Sequence, residues 1–286
     1  MLGLAVLLVL GSGFIHAVWN LYTKRSMNKN VFLWCCQLIA IAVFLPWTIM
    51  ELDSVEYTSA SISLVAASML LHGLYVVLLA AVYSVGDLSQ VYPIMRGTSP
   101  LLVPLAGVLL LGEKLSQYGW AGVVLIVTGI VLSSGVNLQR GQGASLKAPL
   151  LALSVGLCIA GYIVVDKLAL QVVPAVVLNE ASNIGNVLAL SWAALRSGAI
   201  GKEIRLNWKI ILLGGILAPG GYLLFLFALS LAPVAQLAPM REIGTVFGTI
   251  LGIFILREAQ GGRRLMASLI ITAGIIVLGL WGSEHS

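Results

Sequence analysis

Charge is what this chain has least of. Asp, Glu, Lys and Arg together make up 9% of its 286 residues, against 59% hydrophobic residues and a mean hydropathy of +1.03. Soluble domains carry roughly 25% charged residues, so water is not the main solvent and no sizeable soluble domain fits. Cysteine is nearly absent: Cys35, Cys36 and Cys158 fall in apolar segments without a C-x-x-C pair, which argues against a disulfide framework or a metal site. The histidines show no i, i+4 pair. Apolar and polar residues do not alternate, which disfavours a barrel. A basic leader is also missing, and residues 2–22 are too long and wrongly flanked for a cleaved signal peptide. The net charge of +5 sits between apolar runs, where it reads as a topology signal rather than a nucleic-acid surface.

What is present is a series of continuous apolar runs. A spanning helix needs about 20 such residues, and ten fit here: 2–22, 31–50, 60–83, 88–111, 117–137, 148–170, 175–195, 208–231, 234–256 and 263–282. The expected fold is an all-α membrane protein of ten transmembrane helices joined by short connections. Pro93, Pro100 and Pro104 in the fourth run and Pro239 in the ninth remove backbone donors, so a broken fourth span is expected. With alternate connections on opposite sides, one side holds Lys24, Arg25, Lys29, Arg140, Lys147, Arg196, Lys202, Arg205, Lys209, Arg257, Arg263 and Arg264, and the other only Lys114 and Lys167. That twelve-to-two bias puts the basic side in the cytoplasm and both termini outside.

The chain also repeats. Residues 13–24 align with 156–167 at a spacing of 143, with Gly, Ala, an aromatic and Lys in register. Gln90-x-x-Pro93 then matches Gln236-x-x-Pro239, Leu110-Leu111-x-Glu113 matches Ile255-Leu256-x-Glu258, and Thr128-Gly129-Ile130-Val131 matches Ala273-Gly274-Ile275-Ile276. Four matches in one order predict two five-helix repeats, 1–140 and 146–286. Five is odd, so the second must insert upside down. Such an inverted repeat is typical of secondary transporters, whose binding site lies near the midplane between the halves.

Certain stretches carry a family resemblance: His16-Ala-x-Trp19-Asn20-x-x-x-Lys24, Tyr92-Pro93-Ile94-x-Arg96-Gly97-x-x-Pro100, Leu110-Leu111-Gly112-Glu113-x-Leu115-Ser116, the Gly119/Gly122/Gly129 helix, and a weaker second copy ending at Arg257-Glu258. In these the chain resembles, along essentially its whole length, the drug/metabolite transporter superfamily and in particular its ten-helix EamA-type family. The resemblance implies a shared fold, diverse cargo (amino acids, other metabolites, drug-like compounds) and secondary transport. It also implies cytoplasmic termini, opposite to the charge bias.

Ionisable residues inside spans are costly and mark function. Arg96 in the fourth run, with Arg241 and Glu242 in the ninth, either present charge to an anionic group across the pseudo-twofold axis or form a structural ion pair. Glu180 opens a polar stripe with Asn179, Asn183 and Asn186 on one helical face. It is the candidate for proton coupling, with a headgroup position as the alternative. Trp19 and Asn20, and Tyr75, Tyr92 and Tyr222, are candidates to line the cavity or to anchor helices at the interface. His72 reads as hydrogen-bonded structure at the start of its span rather than a ligand, and Asp166-Lys167 as a span boundary rather than a relay. Gly107 to Lys114 mimics a phosphate-binding loop, but its Lys is one place late and no Ser or Thr follows, so an ATP motor is not expected. Gly244, Gly248 and Gly252 read as a close-packing ridge.

The expected function is a secondary transporter, an exporter of a small metabolite, amino-acid-like or drug-like solute, working by alternating access. A flippase of a lipid-linked molecule on the same fold is the alternative, and an intramembrane lipid-modifying enzyme a weaker one. The expected partners are a small-molecule solute, the lipid bilayer and a coupling proton, with no nucleic acid and no cofactor. A monomer or homodimer in a bacterial inner membrane completes the expectation. The buried arginines favour a carboxylate-bearing cargo, while Glu180 and the aromatics favour a cation.

Overall fold

The computed structural model describes the backbone of residues 1–23, 26–85, 88–134, 147–256 and 261–282. Within these segments side chains are described except at 20–23, 83–85, 88–93, 134, 252–256, 261 and 264. Lys24, Arg25, Arg140, Arg257 and Glu258, named above, therefore lie outside the described residues, as do the side chains of Asn20, Tyr92, Pro93 and Gly252.

The described residues form eleven α-helices and no strand: α1 (Leu2–Thr23), α2 (Lys29–Glu51), α3 (Ser59–Val85), α4 (Leu88–Leu110), α5 (Gln117–Ser134), α6 (Lys147–Ala169), α7 (Ala175–Arg196), α8 (Ile200–Leu231), α9 (Val234–Met240), α10 (Ile243–Leu256) and α11 (Gly261–Trp281). A single 3₁₀ turn, Leu52–Ser54, follows α2. Stretches within α1, α2, α3, α6 and α8 are long and apolar enough to cross a membrane, and shorter apolar stretches lie in α4, α5 and α11. Large side chains such as Leu7, Leu109, Leu188 and Trp192 stand on the outer surface. In water such a surface would be a liability, and in lipid it is the solvated face.

Local chemistry sets the helix ends. Asn28 caps α2, its Oδ1 accepting from the Val31 amide at 3.3 Å. Pro174 and Pro233 stand immediately before α7 and α9, where a residue that cannot continue a preceding helix starts a new one. Gly112, at φ +66°, turns the chain out of α4, a left-handed conformation that glycine adopts without a Cβ clash.

The helix break falls elsewhere than in the fourth run, where it was expected. α4 runs unbroken through Pro93, Pro100 and Pro104, the Thr98 hydroxyl donating to the Ile94 carbonyl within the proline-loosened stretch. The break lies in the ninth run instead, between α9 and α10. There the Glu242, Gly244 and Thr245 amides bond back only three residues, to Pro239, Arg241 and Glu242. α9 itself runs through Pro239 to Met240, so the break follows the proline rather than preceding it. The basic connection expected over 196–207 is also shorter, because α8 already starts at Ile200.

The two parts of the chain interlock. α1 packs on α8 and α10, while α6 packs on α3 and α4. α2 packs on α7 and α8, α7 also on α3, α4 on α9, and α5 along α11. Every one of these pairs joins α1–α5 to α6–α11. The α5–α11 seam brings backbone against backbone: a Cβ on Gly122 would sit 2.8 Å from the Gly274 carbonyl oxygen and one on Gly274 2.7 Å from that of Gly122. Lipid provides no hydrophobic drive between helices, so close backbone contact of this kind holds them together. The glycine ridge expected on α10 is only partly present: Gly244 meets the Gly13 carbonyl, but nothing lies within 4 Å of a Cβ on Gly248.

Hydrogen bonds collect the connections at the two ends of the bundle. At one end the Glu56 amide donates to Val172 at 3.3 Å and the Ser116 amide to Gly282 at 3.0 Å. At the other, the carboxylate of Glu203, almost fully buried in the first turn of α8, takes the Asn28 amide at 2.9 Å and Asn207 Nδ2 at 2.6 Å. That bond ties the α1–α2 and α7–α8 connections together on the basic side.

Candidate functional site

Three helices, α3, α6 and α8, place His72, Asp166 and Tyr222 together. Asp166 has no solvent-exposed surface. Its Oδ2 lies 3.2 Å from His72 Nε2 and also accepts the Tyr222 hydroxyl. Its Oδ1 has no hydrogen-bond partner among the described residues. The Tyr162 ring stacks on the His72 ring at 4.0 Å, Tyr222 meets His72 edge-on at 5.1 Å, and Tyr75 meets Tyr162 edge-on at 5.8 Å. Such pairs fix ring orientation beyond simple burial.

Next to this cluster lie the charges at the α9–α10 break. The Arg241 guanidinium lies 5.2 Å from the Tyr222 ring centre and 4.4 Å from that of Phe225, a cation–π arrangement that stabilises a cation away from water. Glu242 does not pair with its neighbour. Its Oε2 lies 3.4 Å from Arg96 Nη2 on α4 and accepts Thr245 Oγ1 at 3.2 Å. The ion pair anticipated for Arg241 is thus made by Arg96, across helices. His16 on α1 is close enough to both guanidiniums to feel their charge.

The α7 stripe faces inward. Asn179, Glu180 and Asn183 are all buried among the helices. Asn183 Nδ2 donates to Glu180 Oε2 at 3.1 Å. Glu180 Oε1 and both side-chain polar atoms of Asn179 have no hydrogen-bond partner among the described residues, the state of groups that meet a solute or water. Trp19 stands elsewhere. It stacks on Phe32 at 5.4 Å in a separate apolar cluster with Cys35, Cys36 and Ile211, and is not brought to the tyrosines. Of the expected site residues, then, Tyr75, Tyr222, Arg96, Arg241 and Glu242 converge, while Glu180 and Asn183 lie on α7, which packs against α3.

Sequence reasoning missed Asp166, His72 and Tyr162. The signal was there, since Asp166 is a carboxylate inside an apolar run, but the adjacent Lys167 made the pair look like a boundary. The two side chains in fact diverge. Lys167 Nζ donates to the carbonyls of Leu229 at 2.6 Å and Ala232 at 2.9 Å, at the end of α8. His72 is hydrogen-bonded, as expected, but sits in the middle of α3 rather than at its start. Just beyond Lys167, the Glu113 carboxylate receives the first two amides of α9, so the α8–α9 turn is held from both sides.

Known proteins resemble this chain in sequence and in fold. The chain is 26% identical to a putative sugar uptake protein of Listeria monocytogenes over 70% of each chain. It is 28% identical to the glucose uptake protein of Bacillus subtilis over 66% of each. A solved crystal structure shares the fold with a TM-score of 0.75 at 17% identity, covering 96% of this chain and 95% of its own. The EamA-like transporter family model matches twice, at residues 3–135 and 146–280. With two such matches over an all-helical, lipid-facing chain, the protein is a multi-pass membrane transporter and belongs to the EamA-like transporter family.

Proposed function

We propose that the chain is a secondary transporter that carries a small polar solute by alternating access, the two family-matched segments rocking about the cluster between them. The observation that carries this reading is the buried polar interior that both segments build. Arg96 with Glu242 and His72 with Asp166 bridge the segments, and unpaired polar atoms of Asn179, Glu180 and Asp166 remain to receive a solute. Midplane sites between repeats work in this way. The exchange-symmetric helix pairing supports ten spans in two inverted five-helix repeats, with α9 and α10 counted as one interrupted span. The basic end, by the positive-inside rule, is cytoplasmic.

A sugar is the solute class that the named relatives favour, and the arrangement suits it: stacked aromatic rings for the sugar face and amides and carboxylates for its hydroxyls. Sequence alone favours export, whereas the relatives are named for uptake, so direction follows the prevailing gradients. The test is solute counterflow in proteoliposomes with labelled glucose and, in parallel, labelled amino acids. Counterflow in the wild type that falls at least about tenfold in Arg96→Ala and in Glu180→Gln supports the reading. If no solute that raises the melting temperature moves across the membrane, the transporter mechanism is wrong. If both variants transport normally, the site is wrong.

A further inference from the structure

We infer that Asp166, His72 and Tyr222 form a proton-binding latch, in which one proton held by the carboxylate–imidazole pair decides whether α3 stays bound to α6 and α8. The inference rests on the transporter reading above and gives it a coupling ion and a place for that ion. Asp166 is fully buried and holds His72 and Tyr222 through the same oxygen, with Oδ1 left open. An ionised carboxylate in so dry a place needs either a positive partner or a proton. His72, 3.2 Å away, can supply one by carrying a proton.

The contact joins the two family matches, since His72 belongs to 3–135 and both Asp166 and Tyr222 to 146–280. Its protonation state therefore bears on how the halves hold together. With Asp166 ionised and His72 protonated, a charge-assisted bond locks α3 to α6. Once that proton leaves for the aqueous phase, a neutral imidazole faces the carboxylate, the charge-assisted bond is lost and the latch relaxes. Taking up a proton from the opposite phase restores it. Glu180 offers no such link, because its bond to Asn183 stays within α7.

The surroundings suit a titrating pair. Tyr75 stands beyond Tyr162 on the α3 side. On α6, Tyr162 backs the imidazole, and Lys167 is engaged with α8 carbonyls. Arg241 lies over the Tyr222 ring, while Glu242 is taken up by Arg96 on α4, so the nearby charges are partly balanced. His16 lies on α1, which packs on α8 and α10, and Glu180 on α7, which packs on α3.

The test uses the purified full-length protein in two assays. In an unbuffered solution with a pH-indicating dye, the wild type takes up about one proton more per molecule than Asp166→Asn between about pH 5 and pH 8. Identical titrations overturn the latch whatever the cargo is. In liposomes, an imposed pH gradient accelerates accumulation of labelled glucose in the wild type, and Asp166→Asn loses that acceleration; the same acceleration in both proteins overturns the latch. A sodium gradient that drives accumulation where the pH gradient does not overturns the proton assignment. Should glucose not move at all, the sugar reading fails and the titration still decides the latch. If Asp166→Asn does not elute as a folded protein, His72→Gln and Tyr222→Phe replace it. Each shifts the midpoint of proton uptake by about one pH unit, and unshifted midpoints overturn the proposal.

Discussion

The carboxylate of Glu113 reaches Val234 from 121 residues away and accepts its amide at 2.8 Å through one oxygen, while the other accepts the Ala235 amide at 2.8 Å. It thereby satisfies the first two orphan donors of α9 and places a negative charge at the positive end of that helix. The motif that follows α4 in the sequence is thus a cap for a helix in the other half of the chain.

Replacing Glu113 with Ala strips α9 of this cap. The expected cost is about 1–2 kcal/mol of stability, seen as a lower melting temperature in detergent, with Glu113→Gln intermediate because it keeps one acceptor oxygen. Equal melting temperatures for all three proteins would show that the cap does not hold α9.

At the α5–α11 seam, Gly122→Ala and Gly274→Ala each drive a methyl group into a carbonyl less than 3 Å away. Each loses about 1–3 kcal/mol by overpacking, and the double variant does no worse than the sum, because either methyl group already pushes the helices apart. Melting temperatures of the two single variants and the double one check this.

Gly248 tests the opposite case. It sits inside α10 with open space where its Cβ would be, so Gly248→Ala removes backbone freedom from the unfolded chain at no steric cost. An increase of about 0.5–1 kcal/mol in stability is expected. Gly244→Ala, against the Gly13 backbone, loses stability in the same measurement.

The Arg96–Glu242 pair is checked by a double-mutant cycle. Removing either partner leaves a charge in the interior, at a cost on the order of 2 kcal/mol. This is below the ~3–5 kcal/mol of a fully buried pair, because the Arg96 side chain is 20% exposed. Arg96→Met combined with Glu242→Gln recovers part of that loss. Strictly additive melting shifts would mean that the two groups do not interact.

Much of the site was legible from residue types. Arg96, Arg241 and Glu242 stood out as charges in apolar runs, and the structure gathers them. The pairing was not legible, since which carboxylate an arginine meets depends on helix rotation and on the α9–α10 break. Asp166 shows the same limit: two adjacent residues on a helix point about 100° apart, so Lys167 at the bundle end and Asp166 in its interior serve different partners. Trp19 illustrates the converse, an aromatic of suggestive position that packs on Phe32 instead.

The sequence alone determined the solvent, the all-helical class and the twofold repetition, because apolar run length and composition act locally and lipid leaves the backbone few alternatives. Only the tertiary structure decided where a helix breaks, which glycines touch, and that His72, Asp166 and Tyr222 meet. Those outcomes depend on packing between segments far apart in the chain, where angstrom differences in helix position select one partner and exclude the next.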